Sequence, residues 1–176
     1  MPDPKYADET VIRGAQIMTP ELANFAGNVH GGHLIMAADN LAYACATRFA
    51  GLACTTAAID RVDLLAPVHV GELLHLTAQV VHAGQTSLEV EVTIEAENVS
   101  TGDRRLTGLC AITLVALRDG RAAPVPSLVP RTREDKIRFL RARERLDAAR
   151  AERAAERHDP FADLADADLD SRIVGG

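Results

Sequence analysis

The chain switches between two periods of apolar residues. From His33 to Ala50 the apolar positions run nearly all round: Leu34, Ile35, Met36, Ala37, Ala38, Leu41, Ala42, Ala44, Cys45 and Ala46. A helix without a polar face is wrapped by protein, and its many alanines let other elements come close. Gly51 follows where a left-handed cap is favoured. Asp39 and Asn40 interrupt the apolar run, and Arg48 lies near its end.

Strand patterns flank this helix. Thr10–Met18 precedes it and is broken by Thr19-Pro20; Thr55–Leu65, Leu73–His82, Thr86–Val99 and Arg104–Leu117 follow. Pro67, the Ala83-Gly84-Gln85 turn, Ser100-Thr101-Gly102-Asp103 and Asp119-Gly120 punctuate them. Along Thr86–Val99, Leu88, Val90, Val92 and Ile94 alternate with Glu89, Glu91, Thr93 and Glu95, which predicts one dry and one wet face. Arg104–Leu117 is apolar on both faces, which predicts cover from a neighbouring subunit. The order is one strand, one helix and a four-strand antiparallel meander. It predicts an α+β fold, a curved antiparallel sheet wrapped around one long buried helix. Pairing two copies would hide the sheet edges, so a homodimer is expected.

Residues 1–130 read as this one domain. After Pro124, Pro126 and Pro130, residues 131–157 carry ten Lys or Arg against six Asp or Glu. Thr132-Arg133-Glu134-Asp135 resembles a capping box, and Ile137, Phe139, Leu140 and Leu146 make only a thin stripe. This predicts a C-terminal surface helix with i,i+4 charge pairs. Residues 158–176 hold five Asp against Arg172 and read as an acidic, flexible tail.

Composition narrows the function classes. The chain is 47% hydrophobic but only 3% aromatic, so the core is aliphatic. A formal net charge of -6 argues against a nucleic-acid surface. No apolar run reaches the roughly 18 residues of a membrane span. The acidic start, Met1–Glu9, has no basic-then-apolar leader, so a cytoplasmic location is expected. Cys45, Cys54 and Cys110 form no metal or disulfide spacing and read as small core residues.

The chemistry concentrates in Gly27-Asn28-Val29-His30-Gly31-Gly32-His33 and Asp39. Gly31 and Gly32 sit where the helix begins, so free N–H groups there could hold an oxyanion. An isolated carboxylate within an apolar helix is costly without a role or a partner. Partial burial should raise the pKa of Asp39, and at neutral pH it could act as a general base toward water. The alternative is a carboxylate that pairs with a nearby Arg or caps a backbone group. His30 and His33 share a helix face, but His69, His75 and His82 lie on separate segments, so no metal is expected. His30 is instead expected to hold the loop. A serine elbow is absent, and Cys45 lies mid-helix, away from an activating N-terminus.

Several blocks together resemble the hot-dog-fold acyl-CoA thioesterases, and in particular the cytosolic (brain-type) acyl-CoA hydrolases and their bacterial relatives. They are Met18-Thr19-Pro20, Gly27–Gly32, Asp39, Ala42-Tyr43-Ala44-Cys45-Ala46, Pro67-Val68-His69-Val70-Gly71-Glu72, Gly84–Val90 and Pro124-Val125-Pro126. The resemblance implies hydrolysis of acyl-CoA in fatty-acid metabolism, with CoA as part of the substrate and no separate cofactor. It places the catalytic pair on Asn28 and Asp39, meeting across a homodimer, with Gly31 and Gly32 at the oxyanion. It also implies assembly into a hexamer, a trimer of dimers. Its CoA-binding positions fall on His82, Gly84, Thr86 and Ser87, with Arg61, Arg104 or Arg105 expected at the nucleotide phosphates. A hot-dog enoyl-CoA hydratase and a non-catalytic acyl-CoA sensor are the competing readings.

Overall fold

The computed structural model describes residues 3–156; the acidic tail expected at 158–176 lies outside them. One compact unit runs to Ala142 and a second begins at Arg143. The elements are β1 (Lys5–Tyr6), β2 (Ile12–Ile17), α1 (Gly31–Ala50), β3 (Ala53–Leu64), β4 (Leu73–Ala83), β5 (Ser87–Glu97), β6 (Arg104–Arg118), β7 (Arg121–Ala122), β8 (Leu128–Val129) and α2 (Arg133–Glu156). None of the described helices is long and apolar enough to cross a membrane.

The main sheet has the order β2-β4-β5-β6-β3, all antiparallel, with the short β7 on β6. A meander of four strands was expected, but only β4, β5 and β6 form one. β3 crosses to the far side of β6 instead. The segment between β3 and β4 makes that crossing possible: it is tied to the loop before α1, where Val29 N–H donates to Val68 O at 2.8 Å. The helix α1 lies in the curl of the sheet, which is the hot-dog arrangement.

α1 is not buried all round within one chain. Leu34, Ala38, Ala42, Cys45, Ala46 and Phe49 pack on Leu74, Leu76, Ala78 and Val80 of β4, Leu88–Ala96 of β5 and Cys110–Ala116 of β6. The opposite side is open: Met36 is 55% and Tyr43 46% exposed. The expected Gly51 cap is present, with φ 67° and its N–H donating to Thr47 O at 2.9 Å. At the other end α1 starts two residues earlier than the apolar pattern, at Gly31, because the His30 imidazole caps it from outside.

One expectation for the convex face needs correction. The polar row of β5 is not uniformly wet: Glu89 is buried, and Arg138 Nη1 donates to Glu91 Oε1 at 3.1 Å. The first turns of α2 cover this row. The Thr132 capping box forms, Asp135 N–H donating to Thr132 Oγ1 at 3.0 Å and Thr132 N–H to Asp135 Oδ2 at 3.1 Å. The remaining oxygen of Asp135 accepts from Gln79 Nε2 at 3.0 Å. Burial alone would raise the Asp135 pKa, but the bonds from Thr132 and Gln79 outweigh it and hold the carboxyl below its usual range. Of the stripe Ile137, Phe139, Leu140 and Leu146, Phe139 turns inward with Ala142, whereas Ile137 and Leu140 are 39% and 49% exposed. On the outer row of β6, Ala111 is buried within one chain while Leu109, Val115 and Leu117 are half-buried.

Candidate active site

The loop before α1 is built by Asn24. Its Oδ1 accepts from Ala26 N–H at 2.9 Å and Asn28 N–H at 3.2 Å, and its own N–H donates to Asn28 O at 2.6 Å. Gly27, at φ 81°, supplies the left-handed residue that closes this turn. Phe25 stands fully exposed at the tip. Because both Asn24 acceptor contacts are backbone N–H groups, its side-chain amide must direct NH2 outward as a donor.

Asn28 is held from behind. Its Oδ1 lies 2.9 Å from His69 Nδ1. The backbone of His69 is fixed in turn by Glu72, whose Oε2 accepts His69 N–H at 2.8 Å. Arg105 forks onto Glu72 with contacts of 2.6 and 2.8 Å and donates to Pro67 O at 2.8 Å. The Arg105 guanidinium holds the Glu72 carboxyl below the usual carboxylate range, and the pair raises Arg105 correspondingly. Sequence reasoning named Asn28, quoted His69 and Glu72 only within a resembling block, read Arg105 only as a candidate phosphate contact, and gave no role to Asn24.

Asp39 lies on the open side of α1, half-buried, and its Oδ1 accepts from Thr56 Oγ1 at 2.7 Å. No described Arg or Lys pairs with it, so the ion-pair alternative does not apply. Bulges in β3 between Thr56 and Ala58 and between Ile59 and Arg61 keep Thr56, Ile59, Val62 and Leu64 opposite Leu114, Ile112, Cys110 and Gly108 of β6. These β3 residues thus face α1, and Ile59, Val62 and Leu64 stay 38–45% exposed.

The helix N-terminus offers one oxyanion donor rather than two. Gly32 N–H donates to His30 Nδ1 at 2.9 Å, which is the cap. Gly31 N–H has no acceptor among the described residues. His30 therefore holds the loop, as expected. Asp39 is eight residues beyond Gly31, about 12 Å along the helix at about 1.5 Å per residue. One chain does not bring its own carboxylate to its own oxyanion donor. No group of metal-ligating side chains gathers among the described residues. Burial lifts the Cys45 and Cys110 thiols to about 11 each, which removes them as nucleophiles.

The expected CoA positions separate. Gly84 and Thr86 line a cavity of about 860 Å³ at the β4–β5 turn, and Ser87 O closes that turn by accepting Gly84 N–H at 2.8 Å. His82 is instead packed against the Phe139 ring, centroids 5.1 Å apart. Arg61 pairs with Asp63, and Arg104 with Glu95 at 2.5 Å.

A curled antiparallel half-barrel around a central helix that carries a half-buried carboxylate and a capped glycine pair at its start has the hot-dog architecture. The family model "Thioesterase superfamily" matches residues 26–102. Protein VdlD of Helicobacter pylori is 33% identical over 141 residues, 80% of this chain and 81% of that one. The human cytosolic acyl coenzyme A thioester hydrolase is 31% identical over 144 residues, 78% of this chain but 38% of its own length. Among solved structures, the Staphylococcus aureus acyl-CoA hydrolase in complex with butyryl coenzyme A, coenzyme A and coenzyme A disulfide superposes with TM-score 0.82 at 30% identity, covering 88% of this chain and 95% of that one. A hexameric acyl-CoA thioesterase superposes with TM-score 0.82 at 33% identity, covering 87% and 98%. The chain belongs to the thioesterase superfamily.

Proposed function

We propose that this protein hydrolyses acyl-CoA thioesters to free acid and CoA in the cytoplasm, at a site completed by a second copy. The observation that carries this reading is the placement of Asp39: one carboxylate oxygen is fixed by Thr56, and the other has no partner among the described residues. Asp39 takes a proton from water as the oxygen attacks the thioester carbon. The oxyanion receives Gly31 N–H from the partner copy, and collapse expels the CoA thiolate, which regains the proton. The separation of about 12 Å between the two groups in one chain supports a composite site, as do the open edge of β3 and the exposed Phe25. Assembly of such dimers into a hexamer belongs to the same proposal.

The asparagine of the site is better assigned to Asn24 than to Asn28. In the S. aureus enzyme, alanine variants of an asparagine, an aspartate and a threonine were solved; the aspartate lies fifteen residues after the asparagine and the threonine seventeen after that. Here Asn24, Asp39 and Thr56 have the same spacing, whereas Asn28 is eleven residues before Asp39. Asn24 then offers its amide to the thioester carbonyl, while Asn28 and His69 brace the loop. Free-thiol release from an acyl-CoA tests the assignment: Asp39→Ala and Asn24→Ala each lower turnover by about 10² or more, and mixed Asp39→Ala/Asn24→Ala dimers recover one working site. Full activity in Asp39→Ala sinks the reading; a larger loss in Asn28→Ala than in Asn24→Ala returns the role to Asn28.

A further inference from the structure

A single exposed apolar side chain is ordinary on a protein surface. Phe25 differs because its loop holds it out. Asn24 Oδ1 binds the N–H groups of Ala26 and Asn28, and Gly27 N–H donates to Asn24 O at 3.0 Å, so the chain is pinned on both sides of the ring. The ring itself is fully exposed. A rigid loop that presents a phenylalanine to water is arranged for burial against something else.

The place of the ring says where. Phe25 borders a cavity of about 580 Å³ walled by Ala23, Asn24, Ala26, His30 and Gly31. Its volume is in the range of ligand pockets. The ring thus shares one space with Asn24 and with Gly31, whose N–H has no acceptor among the described residues. Ala23, Phe25 and Ala26 are apolar; Asn24, His30 and the Gly31 N–H are polar. That mixture suits a hydrocarbon with a polar end. The helix offers a matching surface. Met36 lies three residues before Asp39 and Tyr43 four after, so the three share a face of α1, and both are exposed.

We propose that Phe25 acts in trans: it enters the partner copy's site beside Asn24 and forms the apolar wall on which the acyl chain packs next to the thioester carbon. This rests on the acyl-CoA reading and names a residue that sets acyl selectivity. The acyl arm is the one such a ring suits, because the thiol arm of CoA turns polar at an amide two carbons from sulfur. A ring already fixed in place lowers the ordering cost of binding.

Decanoyl-CoA and acetyl-CoA differ only in the chain that reaches the ring, so their hydrolysis by wild type and Phe25→Ala is the test. Phe25→Ala should lower kcat/KM for decanoyl-CoA about 10-fold relative to that for acetyl-CoA. Val99→Ala, which trims an exposed side chain between β5 and β6, serves as the control and should not shift the ratio. In mixed Asn24→Ala/Asp39→Ala dimers, the one working site takes its loop from the Asp39→Ala copy. Phe25→Ala in that copy should shift the ratio, and in the other copy it should not. The chain has no tryptophan, so Phe25→Trp is a sole reporter. Its emission should be that of a buried indole in the dimer and move to the red on dilution into monomers. An unshifted ratio, an equal loss on both substrates, an effect from the wrong copy, or a water-exposed emission in the dimer overturns the proposal. A wild type that releases no thiol from either substrate refutes the hydrolase reading, and the tryptophan emission still decides whether a second copy covers position 25.

Discussion

Replacing Arg105 with leucine should destabilise the fold and slow turnover together. Glu72 is only 8% exposed and receives two Arg105 contacts. Breaking a fully buried pair of this kind costs about 3–5 kcal/mol. The Arg105 side chain is 38% exposed, so solvent screening reduces the expected cost to about 1–2 kcal/mol. That lowers the melting temperature by about 3–8 °C. The loss has a pH signature. The folded pKa of Glu72 is depressed by Arg105, so the pair's contribution is fully present above the unfolded carboxyl value near about 4.3 and disappears as pH falls through the folded value. The gap between wild type and Arg105→Leu should be widest near neutrality and close below about pH 4. Because Glu72 holds His69, which holds Asn28, kcat should fall by about 3–10-fold, equally for acyl-CoA and acyl-pantetheine. Urea melts at several pH values and steady-state kinetics on both substrates decide it. A variant with unchanged melting, no pH signature and a raised KM for acyl-CoA alone would show that Arg105 is a phosphate contact and that the brace is not one.

Other consequences can be measured separately. His30→Ala removes the acceptor for Gly32 N–H and should cost about 1 kcal/mol in urea unfolding, with His30→Asn recovering part of it; an unchanged midpoint argues against the cap. Gly108→Ala places a Cβ 2.9 Å from Asp63 O, a backbone atom of the paired strand, so a loss of about 1–3 kcal/mol is expected and wild-type stability is not. With Cys45 and Cys110 raised to about 11 by burial, alkylation of the native protein by iodoacetamide at pH 8 should be far slower than of the urea-unfolded chain. Equal rates would contradict their burial.

Most of the fold was legible because burial on one face leaves a strict period. Leu88, Val90, Val92 and Ile94 had to face one way, and the structure puts all of them on the helix. Register and partner choice leave no such trace. Nothing in Thr55–Leu65 says that this strand pairs with β6 rather than β4, because strand order depends on a crossing loop held by residues distant in sequence, Asn28, Val29 and Arg105. The contact of α2 with the sheet was also hidden. It is made by Asp135, Arg138 and Phe139 on Gln79, Glu91 and His82, a largely polar junction that an apolar stripe does not report. A capping box whose acid also reaches across to Gln79 reads in sequence like any other.

The site divides along the same line. Asp39 was conspicuous because a carboxylate in an apolar helix is costly to place, and in the fold it accepts from Thr56 Oγ1 while no described Arg or Lys pairs with it. The asparagines were not separable by type. Asn24 and Asn28 are both in a glycine-containing loop, and only geometry distinguishes them: Asn24 has its oxygen bound by two backbone N–H groups, Asn28 has its oxygen on His69. The signal in the chain that bears on the choice is the spacing to Asp39 and on to Thr56, on which the proposed assignment to Asn24 rests. Under the proposed mechanism the rigidity of α1 makes a single chain half a catalyst. A helix holds Asp39 and Gly31 about 12 Å apart whatever the side chains do, and no loop motion within the chain shortens a helix. If hydrolysis occurs here by the water route, the second copy is a chemical requirement before it is a structural preference. Dilution below the dimer dissociation constant should therefore abolish turnover in proportion to dimer lost, and a monomer retaining full specific activity would contradict the composite site.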